Sequence, residues 1–214
     1  MRYSISCILI LLSFLSFGQD PSRFAEEIEI LLESTKDKKA TNPIIFAGSS
    51  SFRLWDKLEA TFPEKNIVNH GFGGSQTSDL IMYCPLLVTN YKPEKIFIYE
   101  GDNDLAEGKK SVDVVVADIK TLLRVIKRRT PDIPIFLVSP KPSISRWHLK
   151  DQYVELNAEL KKLCASREEI TFIDVWSPMI AKDGDLKRDL FVEDGLHMND
   201  QGYSIWAKAI GEHL

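Results

Sequence analysis

Five short apolar runs, separated by longer stretches with helical spacing, organise this chain. The runs cover residues 44–47 (IIFA), 67–68 (IV), 96–99 (IFIY), 135–138 (IFLV) and 170–173 (ITFI). They are continuous rather than alternating, as strands buried on both faces are. Between them, apolar residues recur every three or four positions. Phe24, Ile28, Leu31 and Leu32 mark an N-terminal helix, and Ile81, Cys84, Leu87 and Val88 a second. Val112, Val115, Ile119, Leu122 and Ile126 share a third helical face, and Tyr153, Leu156, Leu160 and Leu163 a fourth. Tyr203, Trp206 and Ile210 make the last, with Asn199 placed as its N-cap. Alternating strand and helix predicts right-handed crossovers and a parallel sheet covered on both sides, an α/β fold. Such sheets take ligands beyond the carboxyl ends of their strands, so chemistry is sought there.

The start of the chain follows a different pattern. Arg2 precedes an apolar stretch at residues 7–17, and the small residues Ser16 and Gly18 follow. A basic start, an apolar middle and small residues before a cut predict a secretory signal peptide over 1–18, cleaved after Gly18. Residues 19–214 then form a single domain, exported to the periplasm or the medium. Cys7 lies at the beginning of the apolar stretch rather than after it, which argues against a lipid anchor. With the signal removed, no run reaches the roughly 18 apolar residues that span a bilayer.

The whole chain has 214 residues, 44% of them hydrophobic and 27% charged, which suits a folded domain with a sizeable core. Its 27 basic and 31 acidic residues leave a net charge of −4. Nothing in that balance favours a nucleic acid or an anionic membrane as partner. The mature part keeps Cys84 and Cys164, both at apolar helix positions and expected as buried free thiols. Their spacing supports no zinc site.

Small and polar residues crowd the predicted strand ends. Gly48-Ser49-Ser50-Ser51 follows the first strand, and His70-Gly71-Phe72-Gly73-Gly74 the second. Glu100-Gly101-Asp102-Asn103-Asp104 follows the third, and Asp194-Gly195-Leu196-His197 precedes the last helix. A serine at a strand end is often a turn or a cap, but it also exposes a hydroxyl at the rim. The residue two after Ser50 is Phe52, so the G-x-S-x-G elbow is absent. Gln76 stands where a dinucleotide fingerprint needs glycine. In Asp194-x-x-His197 the carboxylate is spaced to reach the imidazole and fix its tautomer. Composition by itself does not choose among Ser49, Ser50 and Ser51 as a nucleophile.

These four segments, in this order, resemble the SGNH hydrolases, also called GDSL-type esterases and lipases. The G-D-S block matches Gly48-Ser49-Ser50, with Ser49 where aspartate is usual. The second-block glycine matches Gly74, G-x-N-D matches Gly101-Asp102-Asn103-Asp104, and D-x-x-H matches Asp194-Gly195-Leu196-His197. The resemblance implies a three-layer α/β/α sandwich with a five-stranded parallel sheet of flavodoxin-like order 2-1-3-4-5. It implies Ser50 as nucleophile, His197 as base and Asp194 as its orienting acid. The oxyanion hole falls to the Ser50 and Gly74 N–H groups and the Asn103 amide, with no metal or organic cofactor.

The expected substrate is a small-molecule or glycan ester. The chain lacks an evident lid insertion, which favours short acyl groups such as acetyl. Arg53 and Trp147 are expected at the substrate, within a pocket wall that includes residues 141–148. The other tryptophans are expected in the core. Two other readings compete: a metal-dependent phosphoesterase built on His70, Asp102, Asp104, Asp194 and His197, and a non-catalytic glycan-binding module on the same fold.

Overall fold

The apolar runs pair into one sheet of five parallel strands in the order β2-β1-β3-β4-β5. The computed structural model describes residues 20–38 and 41–214, so the signal segment expected at 1–18 lies outside the described residues. The strands are β1 Ile44–Gly48, β2 Ile67–Gly71, β3 Lys95–Tyr99, β4 Ile135–Val138 and β5 Ile170–Ile173. The helices are α1 Ala25–Ser34, α2 Ser50–Arg53, α3 Leu58–Thr61, α4 Thr77–Leu87, α5 Asp102–Ala106, α6 Val112–Arg129, α7 Lys150–Ala165 and α8 Asp200–Gly211. Among the described residues, no helix is long and apolar enough to cross a membrane.

Alternation along each strand sorts side chains to two faces. Ile45, Ala47, Ile96, Ile98, Ile135 and Leu137 pack under α1, α4, α6 and α7. Ile44, Phe46, Phe97, Tyr99, Phe136 and Val138 pack under α2, α3 and α8. The result is three layers, helix on sheet on helix, as the strand pattern predicts. On the second face, Phe46, Phe97 and Phe136 occupy one register across β1, β3 and β4. Their rings stack at 4.6 and 4.7 Å between centroids, which fixes the strands relative to one another. Asn199 caps α8 by accepting from the N–H groups of Gln201 and Gly202. Trp55 and Trp206 are core residues, and Cys84 and Cys164 are free and buried.

Strand β2 extends three residues past the apolar pair that predicts it, through Asn69, His70 and Gly71. His70 is fully buried there and satisfied locally. Its Nδ1–H donates to the Leu87 carbonyl, and Nε2 lies 2.9 Å from the Thr35 hydroxyl. Burial favours the neutral ring and brings its pKa down to about 4. The unfolded chain, with a histidine pKa near 6.5, therefore binds the proton first. This contribution to stability is complete above pH ~6.5 and is lost as the pH falls from there toward 4. The expected slope approaches ~1.4 kcal/mol per pH unit in that window. Urea unfolding at pH 5.0, 5.5, 6.0 and 7.0 checks it: His70→Gln is expected to flatten the slope, and an unchanged slope contradicts the assignment.

Candidate active site

The rim at the carboxyl ends of β1, β2 and β3 brings the polar loops together. Gly48 ends β1 with φ +143°, and a Cβ there would stand 2.1 Å from the Tyr99 carbonyl oxygen. That close approach needs glycine. The Ser49 N–H then donates to the same Tyr99 oxygen at 3.1 Å, and the chain turns at once into α2. Ser50, the first residue of α2, faces the turn before α8. Its Oγ lies 3.0 Å from His197 Nε2.

The other side of the imidazole meets Asp194. His197 Nδ1 is 2.6 Å from Asp194 Oδ2. Oδ1 of the same carboxylate accepts from the N–H groups of Leu196 at 2.7 Å and His197 at 2.9 Å. An ionised carboxylate only accepts, so Nδ1 carries the hydrogen and Nε2 is left to accept from Ser50. Slight burial raises the Asp194 pKa, but the two backbone donors and the ring outweigh it and bring it down to about 2. Its neighbours have other partners: the Ser49 hydroxyl accepts from Asn103, while Ser51 hydrogen-bonds Tyr99 through its side chain. Of the three adjacent serines, Ser50 is the one placed on the histidine.

Gly74 and Asn103 come to the same rim. Gly74 is exposed with φ +68°, and open space lies beside its Cα. Asn103 is buried, and its Nδ2 donates to Ser49 Oγ at 2.6 Å and to the Ser75 carbonyl at 2.9 Å. The amide thus stands between the residue before Ser50 and the residue after Gly74. The Ser75 hydroxyl in turn donates to Glu100, whose pKa lies well above the carboxylate range because of burial and then Asp104. Asp104 accepts from the Thr77 N–H and hydroxyl and pairs with Lys110 at 2.8 Å. The second aspartate of the G-x-N-D segment therefore ties α5 to the start of α4. Five residues offered by sequence as metal ligands do not gather. Among the described residues, no three His, Cys, Asp or Glu side chains are grouped to hold a metal ion.

Residues 17–205 match the model of the GDSL-like lipase/acylhydrolase family. The chain belongs to that family. A GDSL-like lipase from Bacteroides thetaiotaomicron VPI-5482 shares the fold at 22% identity and a TM-score of 0.71, over 91% of this chain and 96% of that one. A carbohydrate esterase family 3 protein from Talaromyces cellulolyticus does so at 16% identity and a TM-score of 0.64, over 79% and 94%. The chain is also 26% identical over 186 residues to the N-acylneuraminate cytidylyltransferase of Escherichia coli O18:K1:H7 (strain RS218 / NMEC). That match covers 84% of this chain and 42% of the cytidylyltransferase, so the chain spans less than half of that protein.

In this member of the family, the segment after β4 differs from its sequence-based expectation. Residues 141–148 are expected as a pocket wall, yet Lys141, Pro142, Ser143 and Arg146 turn inward and are buried. Strand-end loops usually keep cations in water, so a sequence pattern offers no sign of this inward turn. Trp147 is partly buried, stacks on Trp176 at 6.2 Å, and has the Lys150 ammonium 4.8 Å above its ring. Arg53 is half-exposed beside Gly73 and pairs loosely with Glu27 at 3.6 Å. Sequence reasoning missed Ser75, took Ser49 only as one of three candidate nucleophiles, and took Lys141 and Arg146 only as part of a pocket wall.

Proposed function

We propose that this chain is a serine ester hydrolase acting through an acyl-enzyme on Ser50. The reading is supported above all by the 3.0 Å approach of Ser50 Oγ to a histidine whose other nitrogen is held by Asp194. Ser50 Oγ attacks the ester carbonyl while His197 Nε2 takes its proton. The oxygen of the carbonyl gains negative charge, which the N–H groups of Ser50 and Gly74 receive together with the Asn103 amide, whose bond to Ser49 Oγ is exchanged for one to the substrate oxygen. His197 then gives the proton to the departing alcohol. Water repeats the sequence on the acyl-enzyme and releases the acid. Asp194 holds the ring in the required tautomer and offsets its charge when it is protonated.

The substrate of this proposal is a short acyl ester, acetyl above all, on a carbohydrate or a small lipid alcohol. Two residues, Glu100 and Gly101, join β3 to α5, and residues 72–76 join β2 to α4, so neither connection carries a lid. Arg53, beside Gly73, and Trp147, in the loop after β4, are assigned to the alcohol side. A series of p-nitrophenyl esters tests the acyl preference. The expected kcat/KM is greatest for acetyl and falls by about tenfold or more by octanoyl, as a pocket of limited depth requires. A maximum at octanoyl or beyond would contradict it. Trp147→Ala or Arg53→Ala is expected to raise KM for an acetylated sugar with kcat little changed, since remote binding is lost while the reacting groups stay in place.

A further inference from the structure

Behind the Ser50–His197 pair lies a buried cluster of charge that the chemistry above does not use. Asp102, the first residue of α5, is 4% exposed; Lys141 and Arg146, from the loop after β4, are 1% and 8% exposed. Asp102 Oδ1 accepts from Arg146 Nη1 and the Tyr153 hydroxyl. Oδ2 accepts from the Tyr99 hydroxyl at 2.9 Å and stands 3.8 Å from Lys141 Nζ. Burying charge is costly unless each group is paired and hydrogen-bonded. Here one carboxylate meets two cations, and each cation has a second contact at the candidate site.

Those second contacts reach opposite sides of the site. Arg146 Nη2 donates to Asn103 Oδ1 at 3.0 Å, and also to the exposed Glu107 at 3.1 Å. A guanidinium only donates, so it meets the oxygen of the Asn103 amide and turns the NH2 toward Ser49 and Ser75. The Ser75 carbonyl, which only accepts, selects the same end of the amide from the other side. Lys141 Nζ donates to the Leu196 carbonyl at 2.7 Å, inside the turn that carries Asp194 and His197. The Ser145 N–H adds a bond to the Gly195 carbonyl of that turn at 3.0 Å.

We propose that Arg146 and Lys141, both anchored on Asp102, are positioning residues that set the Asn103 amide and the Asp194–His197 turn from behind. Arg146 holds the oxygen end of the amide, and so, with the Ser75 carbonyl, keeps the NH2 end toward the developing oxyanion. Lys141 fixes the height of the histidine turn over Ser50. The inference rests on the ester-hydrolase reading, with Asn103 as an oxyanion donor.

A double-mutant cycle on the full chain separates positioning from general support. Asn103→Ala is expected to lower kcat on p-nitrophenyl acetate by about 10²-fold or more. Arg146→Gln should cost about tenfold in kcat, less than loss of the donor itself, with KM within about twofold. In the Asn103→Ala background, Arg146→Gln should cost less than about twofold, because its target is gone. Arg146→Lys keeps a charge beside Asp102 but has no fork, so it should fold well and still lose the same kcat. It carries the test if Arg146→Gln does not fold. Lys141→Met should lower kcat by the same factor with and without Asn103, since it acts through the other side. The inference is overturned if Arg146→Gln and Arg146→Lys leave kcat unchanged, or if the full tenfold loss recurs in the Asn103→Ala background. It is equally overturned if Lys141→Met loses its effect there. Failure of the underlying reading is distinguishable, because it appears in the unmutated chain as ester hydrolysis with no acyl group on Ser50.

Discussion

Replacing Ser50 by alanine is expected to lower ester turnover by on the order of 10⁶ while leaving the melting temperature within a few degrees. Ser50 is half-buried at the rim, and its Oγ has the imidazole as its hydrogen-bond partner, so little packing is lost. The chemical loss is large because, among the described residues, no other hydroxyl is bonded to the ring. Ser49 Oγ is held by Asn103, and Ser51 is buried against Tyr99. His197→Ala should cost a similar factor, since an unassisted hydroxyl is a weak nucleophile at neutral pH. Groups that act as one unit do not add. The Ser50→Ala, His197→Ala double variant is therefore expected to be no slower than either single variant. Single-turnover kinetics with p-nitrophenyl acetate check both statements. A double variant slower by the product of the two factors would mean that the residues act separately.

Asp194→Asn is expected to lower kcat by about 10³–10⁴, and its cause is specific. Two backbone N–H groups donate to Asp194 Oδ1. An asparagine at this position must present its oxygen to those donors, which turns its NH2 toward the ring. His197 Nδ1 then becomes the acceptor, and the hydrogen moves to Nε2, facing Ser50. A protonated Nε2 takes no proton from the serine. Glutamate is one methylene longer, and alanine removes the tautomer bias without inverting it. The order of activity should therefore be Asp, then Ala, then Asn. The side chain of Asp194 is 47% exposed, so water softens the loss of charge itself while leaving the tautomer effect intact. Because the carboxylate stays ionised down to about pH 2, no loss of activity above pH ~4 should trace to its protonation. Nitrogen NMR of the imidazole reads the tautomer directly. An unchanged tautomer in Asp194→Asn would contradict the argument.

The parts of the fold written as periodic hydrophobicity were legible. Strands β1, β3, β4 and β5 lie under helices on both faces, so each is mostly apolar, and each appears as such a run. The far end of β2 was not legible, because Asn69, His70 and Gly71 are polar or small and are satisfied by contacts outside the strand. Helices α2, α3 and α5 are too short for a period to form. The one-turn helices α2 and α5 carry Ser50 and Asn103, and the four-block resemblance picked out those two residues where periodicity had no purchase. Asp194 and His197 were legible for the opposite reason: their relation is local, three residues apart in a turn.

The least legible feature was the buried charge behind the site. Lys141 and Arg146 sit in a loop, where cations ordinarily face water, and Asp102 occupies the free position of G-x-N-D. Their partnership joins residues about forty positions apart, and spacing holds no trace of it. The choice among three adjacent serines was also closed to composition. It turns on Gly48 passing so close to Tyr99 that the following three hydroxyls point to three different partners.

The identity of the nucleophile is the point on which the rest stands, and one labelling experiment reaches it. The full chain is reacted with a fluorophosphonate, digested, and the modified residue located by mass spectrometry. The expected result is a single adduct on Ser50, absent from Ser50→Ala and formed far more slowly by His197→Ala. An adduct on Ser49 or Ser51, or sustained ester hydrolysis by a chain that takes no label, would contradict it.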